Sequence, residues 1–476
     1  MQSRTARVLA GAAVTAAALL GAGSPASAEH VHGAAGAVDG SVLRLDSIVQ
    51  TAIQRGAAPG AAVAIGHSGG DVVIRTYGRT AWSATAPAVS DSTLYDLASL
   101  TKVMAATPAA MLLVQQGRLD LDASITRYLA WWPRDGAKGR VTARDLLLHR
   151  AGFPADEPLH GLDRADRIQS VALRPLAYAP GSRTIYSDIS MVMLAAVVES
   201  ITHQRIDAFV TRALYVPLEM RDTRFTPLTP LAADPFDLGR LAPTDRSGVG
   251  EVNDPIARSL DGISGNAGLF SSIRDVARFA QLMLVGAEGL QTPVLSDSTI
   301  RLFTRHSPGS ERALGFDTPT SGSGVFAPYF SDASFGHTGY TGTSLWIDPA
   351  RDVFVVLLTN RTYPSAANEK HVALRKAVNA LVRNDFASAS PDRGGLAAIR
   401  AALLEGLPRL PGDPDPHAAW FLPREEALAA PDGHVGALGA LALLVLLSAG
   451  YGVAHQDERV RKAIARARAA LVRRER

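Results

Sequence analysis

The sequence predicts an α+β fold: a mainly antiparallel sheet covered by helices, a helical subdomain, and one C-terminal transmembrane helix. Three observations carry this. Two strand-rich segments, residues 61–77 and 336–359, lie far apart with a long helical middle between them. A sheet drawn from both ends of a chain around a helical insertion is an α+β arrangement. Residues 435–454 form an uncharged run of 20 residues. As a helix such a run is roughly 30 Å long, the thickness of a bilayer core. The 476 residues, 47% hydrophobic and 20% charged, allow a large core and argue against long disorder.

The elements follow in order. Leu43, Leu45, Ile48, Val49 and Ile53 recur at helical spacing and predict an amphipathic helix over residues 41–56. Two apolar runs, residues 61–66 and 72–77, flank Ser68-Gly69-Gly70-Asp71, a hairpin signal. A helix carrying Ser99 ends near Gly117. Thr142 starts a capped short helix reaching His149. The turn at Pro180-Gly181 leads to Tyr186 and an apolar helix over residues 190–201. Residues 225–260, rich in proline, aspartate and glycine, read as an irregular excursion and a candidate lid. The glycine-rich residues 262–268 lead into a helix over 273–285. They are no phosphate loop, because no lysine ends them. Residues 336–347 and 352–359 read as two strands joined by Asp348-Pro349-Ala350-Arg351, followed by a helix over 366–382.

The chain ends carry address signals. Arg4 and Arg7, the apolar residues 8–20 and Ala26-Ser27-Ala28 make residues 1–28 a secretory signal peptide. Residues 386–434, rich in proline, glycine and alanine, read as a linker to the membrane helix at 435–454. The basic tail at 455–476 marks the cytoplasmic side. The expectation is an exported domain, residues 40–385, anchored in the cell membrane with its site outside the cytoplasm. The formal net charge is +3. The signal accounts for +2 and the tail for +5, which leaves −4 on residues 29–454. The basic balance therefore reflects topology and gives no support to nucleic-acid binding. With no cysteine in the chain, disulfides and thiolate metal sites are excluded.

The chemistry centres on Ser99-Leu100-Thr101-Lys102. A serine three residues before a lysine on one helix shares its face. A desolvated lysine can take the proton that makes a hydroxyl nucleophilic. The chain has 5 lysines among 48 basic residues, so arginine is its default cation, and arginine cannot give up its proton. The apolar sequence after Lys102 argues for a buried amine. By itself the motif equally fits an exposed lysine on an ordinary helix. Tyr186 is the second candidate: near a protonated lysine its phenolate is stabilised and can shuttle protons. Asp188 either holds Lys102 by charge or caps the following helix. His337-Thr338-Gly339 is the third, because a glycine on a strand admits close approach of a backbone or ligand.

Ser-x-x-Lys, then Tyr-Ser-Asp, then His-Thr-Gly, in this order, resembles the serine β-lactamase and penicillin-binding-protein superfamily, in its class C-like branch. Tyr95-Asp96-Leu97-Ala98, residues 146–154, Gly265-Asn266-Ala267-Gly268-Leu269 and residues 336–342 look like that family too. The resemblance implies a β-lactamase/transpeptidase-like fold. It implies Ser99 as acylated nucleophile, Lys102 as proton acceptor and Tyr186 as general acid/base. The backbone N–H groups of Ser99 and Tyr340 would form the oxyanion hole. Asp188, His337, Thr338 and Gly339 would bind substrate. Two positions depart from the family's common pattern: Asp188 replaces an asparagine, and His337 replaces a lysine. A mostly neutral histidine removes a fixed charge for a substrate carboxylate. The expected activity is acyl-enzyme hydrolysis of ester or amide substrates, with an esterase or a D-alanyl-D-alanine peptidase as the forms expected. A true β-lactamase and a non-catalytic cell-envelope binding module remain alternatives. No cofactor is expected. No metal is expected either, because the 12 histidines form no His-Glu-x-x-His pair.

Overall fold

The computed structural model describes residues 38–155, 157–225, 239–245, 249–320 and 329–387. The signal peptide, the linker, the membrane helix and the basic tail lie outside the described residues. Among the described residues, no helix is long and apolar enough to cross a membrane.

Along the chain, α1 (Val38–Gln54) precedes β1 (Gly60–Gly66), β2 (Val72–Gly78) and β3 (Tyr95–Asp96). The helical middle holds α2 (Thr107–Gln115), α3 (Ala143–Leu147), α4 (Arg164–Gln169), α5 (Asp188–Thr202) and α6 (Ile206–Val210). Next come β4 (Arg224–Phe225), α7 (Pro255–Ser259), β5 (Leu269–Ser271), α8 (Ile273–Ala287) and α9 (Asp297–Thr304). The chain returns through β6 (Phe335–Thr338), β7 (Ser344–Asp348) and β8 (Val353–Thr359) to α10 (His371–Leu381).

The two ends of the chain build one sheet, as expected. Its order is β2-β1-β8-β7-β6, antiparallel throughout. Alternation along its buried strands divides the core. Ala61, Val63 and Ile65 of β1 and Val353, Val355 and Leu357 of β8 face a cluster with Leu45 of α1 and Leu374 and Val378 of α10. Ala62, Ala64, Phe354, Val356 and Leu358 face the other way, into a large cluster with α2, α5 and α8. Truncating a core residue such as Leu45, 0% exposed, to alanine costs about 2–5 kcal/mol. A small antiparallel sheet, β3-β5-β4, joins the helical middle to the segment before Ser99.

Three details differ from the sequence expectation. Residues 336–347 are two strands, not one, because the Gly339 N–H folds back onto the Thr343 carbonyl at 2.8 Å. The final helix begins at His371 rather than 366, because the Arg361 guanidinium takes the carbonyls of Ala366 and Asn368 at 2.6 and 3.2 Å. Ser99 sits in a turn before the helix rather than on it, followed by a π-helical turn, Lys102–Ala106. Within residues 225–260, α7 is ordered helix and Leu241 bridges to Leu94. Much of the candidate lid, residues 226–238 and 246–248, lies outside the described residues.

Candidate active site

The turn that presents Ser99 is built by its neighbours. Ala98 holds a left-handed backbone, φ 47°, a conformation a non-glycine residue keeps only when its surroundings enforce it. The enforcing contact is the Asp96 carboxylate, which accepts the Ala98 N–H at 2.8 Å and the Asn253 N–H at 2.7 Å. Burial pushes the Asp96 carboxyl up to about 6, against the pull of these two bonds. The Leu100, Thr101 and Lys102 N–H groups then bond three residues back, which winds Lys102 beneath Ser99.

Lys102 is 0% exposed. Its Nζ donates to Ser99 Oγ at 2.8 Å and to the Asn266 carbonyl at 3.0 Å. It lies 2.7 Å from Asp188 Oδ1. Burial works against the ammonium, but the charges and hydrogen bonds of Asp188 and Tyr186 outweigh it and leave the amine above its ordinary value. Tyr186 Oη donates to Ser99 Oγ at 2.9 Å. Desolvation raises this phenol, Lys102 pulls it back and Asp188 pushes it up again, with a net rise. The three polar tips singled out in the sequence therefore meet at one oxygen.

Tyr186 is held from both sides in the chain. The His149 carbonyl accepts the Ile185 N–H at 2.9 Å, and His149 Nδ1 accepts the Ser187 N–H at 3.1 Å. The His149 ring lies 4.7 Å from the Tyr186 ring. His149 is fully buried, and burial together with the Arg312 and Lys102 charges keeps its imidazole neutral, well below its ordinary value.

His337, Thr338 and Gly339 end β6 beside Ser99. The His337 ring packs 5.7 Å from the Tyr186 ring. It is 2% exposed, and its Nδ1–H donates to the Thr338 carbonyl at 2.7 Å. Burial lowers its pKa, so it is a neutral group. Thr338 is half-buried and Tyr340 exposed. A Cβ at Gly339 would meet the Leu97 carbonyl at 2.5 Å and Thr343 Oγ1 at 2.0 Å, so glycine is required there. Thr341 and Thr343 hydroxyls bond the Asp96 and Leu97 carbonyls at 2.7 and 3.1 Å. These contacts latch the Tyr340 turn onto the backbone leading to Ser99. Among the described residues, neither the Ser99 nor the Tyr340 N–H has a hydrogen-bond acceptor.

Sequence reasoning assigned no role to several neighbours. The Asn266 carbonyl acts through its backbone, which leaves no side-chain signature. Its side chain is fixed by Ser264 Oγ at 2.6 Å and Asp254 Oδ1 at 2.9 Å. A usable signal was Gly265, where a Cβ would meet the Met191 carbonyl at 2.0 Å. Buried Arg312, paired with Asp317 at 2.5 Å, lies 5.6 Å from the Tyr186 ring centroid. Among the described residues, no group of acidic or histidine side chains could hold a metal ion.

Comparison with known proteins places the chain in a family. The family model described as Beta-lactamase matches residues 45–379. A protein of Salmonella enteritidis PT4 (strain P125109), described as "Putative D-alanyl-D-alanine carboxypeptidase", is 35% identical over 311 residues, 59% of this chain and 72% of its own. Among solved structures, EstCE1, a hydrolase with promiscuous acyltransferase activity, superposes with a TM-score of 0.59 at 22% identity, over 72% of this chain and 99% of that one. A penicillin-binding protein homologue from Pyrococcus abyssi gives 0.55 at 18% identity, over 72% and 79%. At these identities the structural likeness is one of fold.

Proposed function

As the chain belongs to the Beta-lactamase family and is a serine hydrolase of the β-lactamase/penicillin-binding-protein fold, we propose that Ser99 is its acylated nucleophile and esters its preferred substrates. The convergence of Lys102 Nζ and Tyr186 Oη on Ser99 Oγ, at 2.8 and 2.9 Å, carries this reading.

Asp188 favours Lys102 as an ammonium, so the residue suited to accept the Ser99 proton is Tyr186. Lys102 then acts as the charge that stabilises the phenolate. This moves the proton-acceptor role that the resemblance implied for Lys102 onto Tyr186, which also keeps its general acid/base role. With Tyr186 in its phenolate form, its own proton having first passed to solvent, Ser99 Oγ bonds the acyl carbon, the Ser99 proton passes to the phenolate oxygen, and the oxyanion formed as the carbonyl opens is held by the N–H groups of Ser99 and Tyr340. Tyr186 returns the proton to the leaving oxygen as that bond breaks. Water then attacks the acyl-enzyme and gives its proton to the Tyr186 phenolate, and Ser99 Oγ leaves as the acyl bond breaks, taking that proton from Tyr186 to regenerate the hydroxyl.

The substrate class follows from charge. His337 is buried and neutral, and Asp188 pairs with Lys102, so neither side chain offers an unpaired cation for direct contact with a substrate carboxylate. That favours neutral esters over β-lactams. The carboxypeptidase description of the 35%-identical relative favours a second reading, a D-alanyl-D-alanine peptide substrate, with Thr338 and Gly339 lining its path. The test compares a p-nitrophenyl ester, a D-alanyl-D-alanine peptide and a chromogenic cephalosporin on the full chain. Turnover greatest on the ester supports the first reading; turnover greatest on either other substrate overturns it.

Export and anchoring belong to the same proposal. The signal pattern at 1–28 and the uncharged 435–454 run with its basic tail support a domain outside the cytoplasm. Protease on intact cells should cut the Ser99 domain and spare the tail; removal of the tail alone would contradict it.

A further inference from the structure

Two buried charges remain without a use. Arg361 and Arg375 are 6% and 5% exposed, and among the described residues neither pairs with a carboxylate. The hydrogen bonds their guanidiniums make go to carbonyl oxygens. Arg361 Nε donates to the Tyr340 carbonyl at 2.7 Å, and Nη1 to those of Ala366 and Asn368. Arg375 Nη2 donates to the Thr343 carbonyl at 2.9 Å, and its Nε has no hydrogen-bond partner. The Arg361 guanidinium also covers the Tyr340 ring at 4.3 Å, and its backbone N–H donates to the Thr341 carbonyl at 2.9 Å.

Taking a guanidinium out of water costs several kcal/mol unless an opposite charge compensates it. Here two stand together. Burial and the Arg361 charge push Arg375 down to about 10, and burial with both guanidiniums pushes neighbouring His371 down to about 4. The cluster is thus a fixed positive region. It touches the turn at residues 339–343 from behind, while the other end of that turn is latched to the Asp96 and Leu97 carbonyls ahead of Ser99.

We infer that Arg361 and Arg375 are positioning residues of the oxyanion hole: they lock the Tyr340 turn and direct an uncompensated positive field at the oxyanion formed on Ser99. The inference rests on the Ser99 hydrolase reading. A charge fixed in advance in a low-dielectric site acts on the negative transition state and leaves a neutral ground state nearly untouched. A purely structural anchor for three carbonyls would not make that distinction.

Phenylboronic acid, which adds to a serine hydroxyl as a tetrahedral anion, and a neutral p-nitrophenyl ester serve as probes on the full-chain protein. Arg361→Gln is expected to lower kcat and boronate affinity by the same factor, about tenfold or more, with KM unchanged. Arg361→Lys, which keeps the charge, should recover most of both. Unchanged boronate affinity in Arg361→Gln, or an Arg361→Lys variant as impaired as Arg361→Gln, overturns the inference. If Arg361→Gln does not fold, Arg361→Lys decides alone. Near wild-type values of kcat and boronate affinity support the inference, and a loss of about tenfold in both overturns it. Failure of wild type to take a fluorophosphonate on Ser99 would remove the hydrolase reading first and this inference with it.

Discussion

Asp188 Oδ1 lies 2.7 Å from Lys102 Nζ, and this contact reverses what burial alone would do to the amine. A lysine with 0% exposure would shed its proton readily, but a carboxylate on the first turn of α5 keeps it charged. The same carboxylate opposes ionisation of Tyr186. Asp188 therefore works against both groups that could act as base.

Asp188→Asn tests that directly. Removing the negative charge lowers the pKa of both Lys102 and Tyr186, so the base form appears at lower pH. The rising limb of kcat/KM against pH is expected to move down by at least about one unit. A limb that stays in place shows that Asp188 does not control the base.

Tyr186→Phe keeps the ring against His149 and His337 and removes one oxygen. The expected loss in kcat is about a hundredfold to ten-thousandfold, the usual range for a general acid/base. Circular dichroism should match wild type. Retained turnover would remove Tyr186 from the proton path.

Much of this centre was legible in the sequence, for a physical reason. Ser99 and Lys102 lie three residues apart, and Asp188 follows Tyr186 by two, so each pair is short-range geometry. The paired ends of the sheet were legible from alternation in β1, β2 and β8. The gap between β6 and β7 was not, because Tyr340, Thr341 and Thr343 are strand formers. What breaks the strand is Gly342 at φ 98° and the bond from Gly339 to Thr343. The Asn266 carbonyl and the Arg361 contact to Tyr340 are long-range backbone contacts, which residue identity does not reveal.

Gly339→Ala forces a methyl into the Leu97 carbonyl and Thr343 hydroxyl. Overpacking of this kind costs about 1–3 kcal/mol, and moving the Tyr340 N–H should lower kcat by about a hundredfold. Thermal unfolding and ester kinetics check the two effects. An alanine variant with normal kcat would contradict the placement of the oxyanion hole.

His149 makes stability fall in acid. Its folded pKa is well below the unfolded value of 6.5, so the unfolded state binds the proton first as pH drops. Stability is complete above 6.5 and is lost as pH falls below it, by about 1.4 kcal/mol per unit for one proton. Asp96 and Asp275, both raised to about 6 by burial, act in the opposite sense, so the comparison must be made against His149→Gln. Urea unfolding between pH 6.5 and 5 should show a steeper loss in wild type than in the variant. Parallel slopes would show that His149 carries no such penalty.

The most direct measurement is peptide mapping of the full chain by mass spectrometry after a brief exposure to a p-nitrophenyl ester. The account predicts one acyl group, on Ser99, absent from Ser99→Ala. Turnover with the acyl group on another residue, or equal labelling of Ser99→Ala, would contradict it.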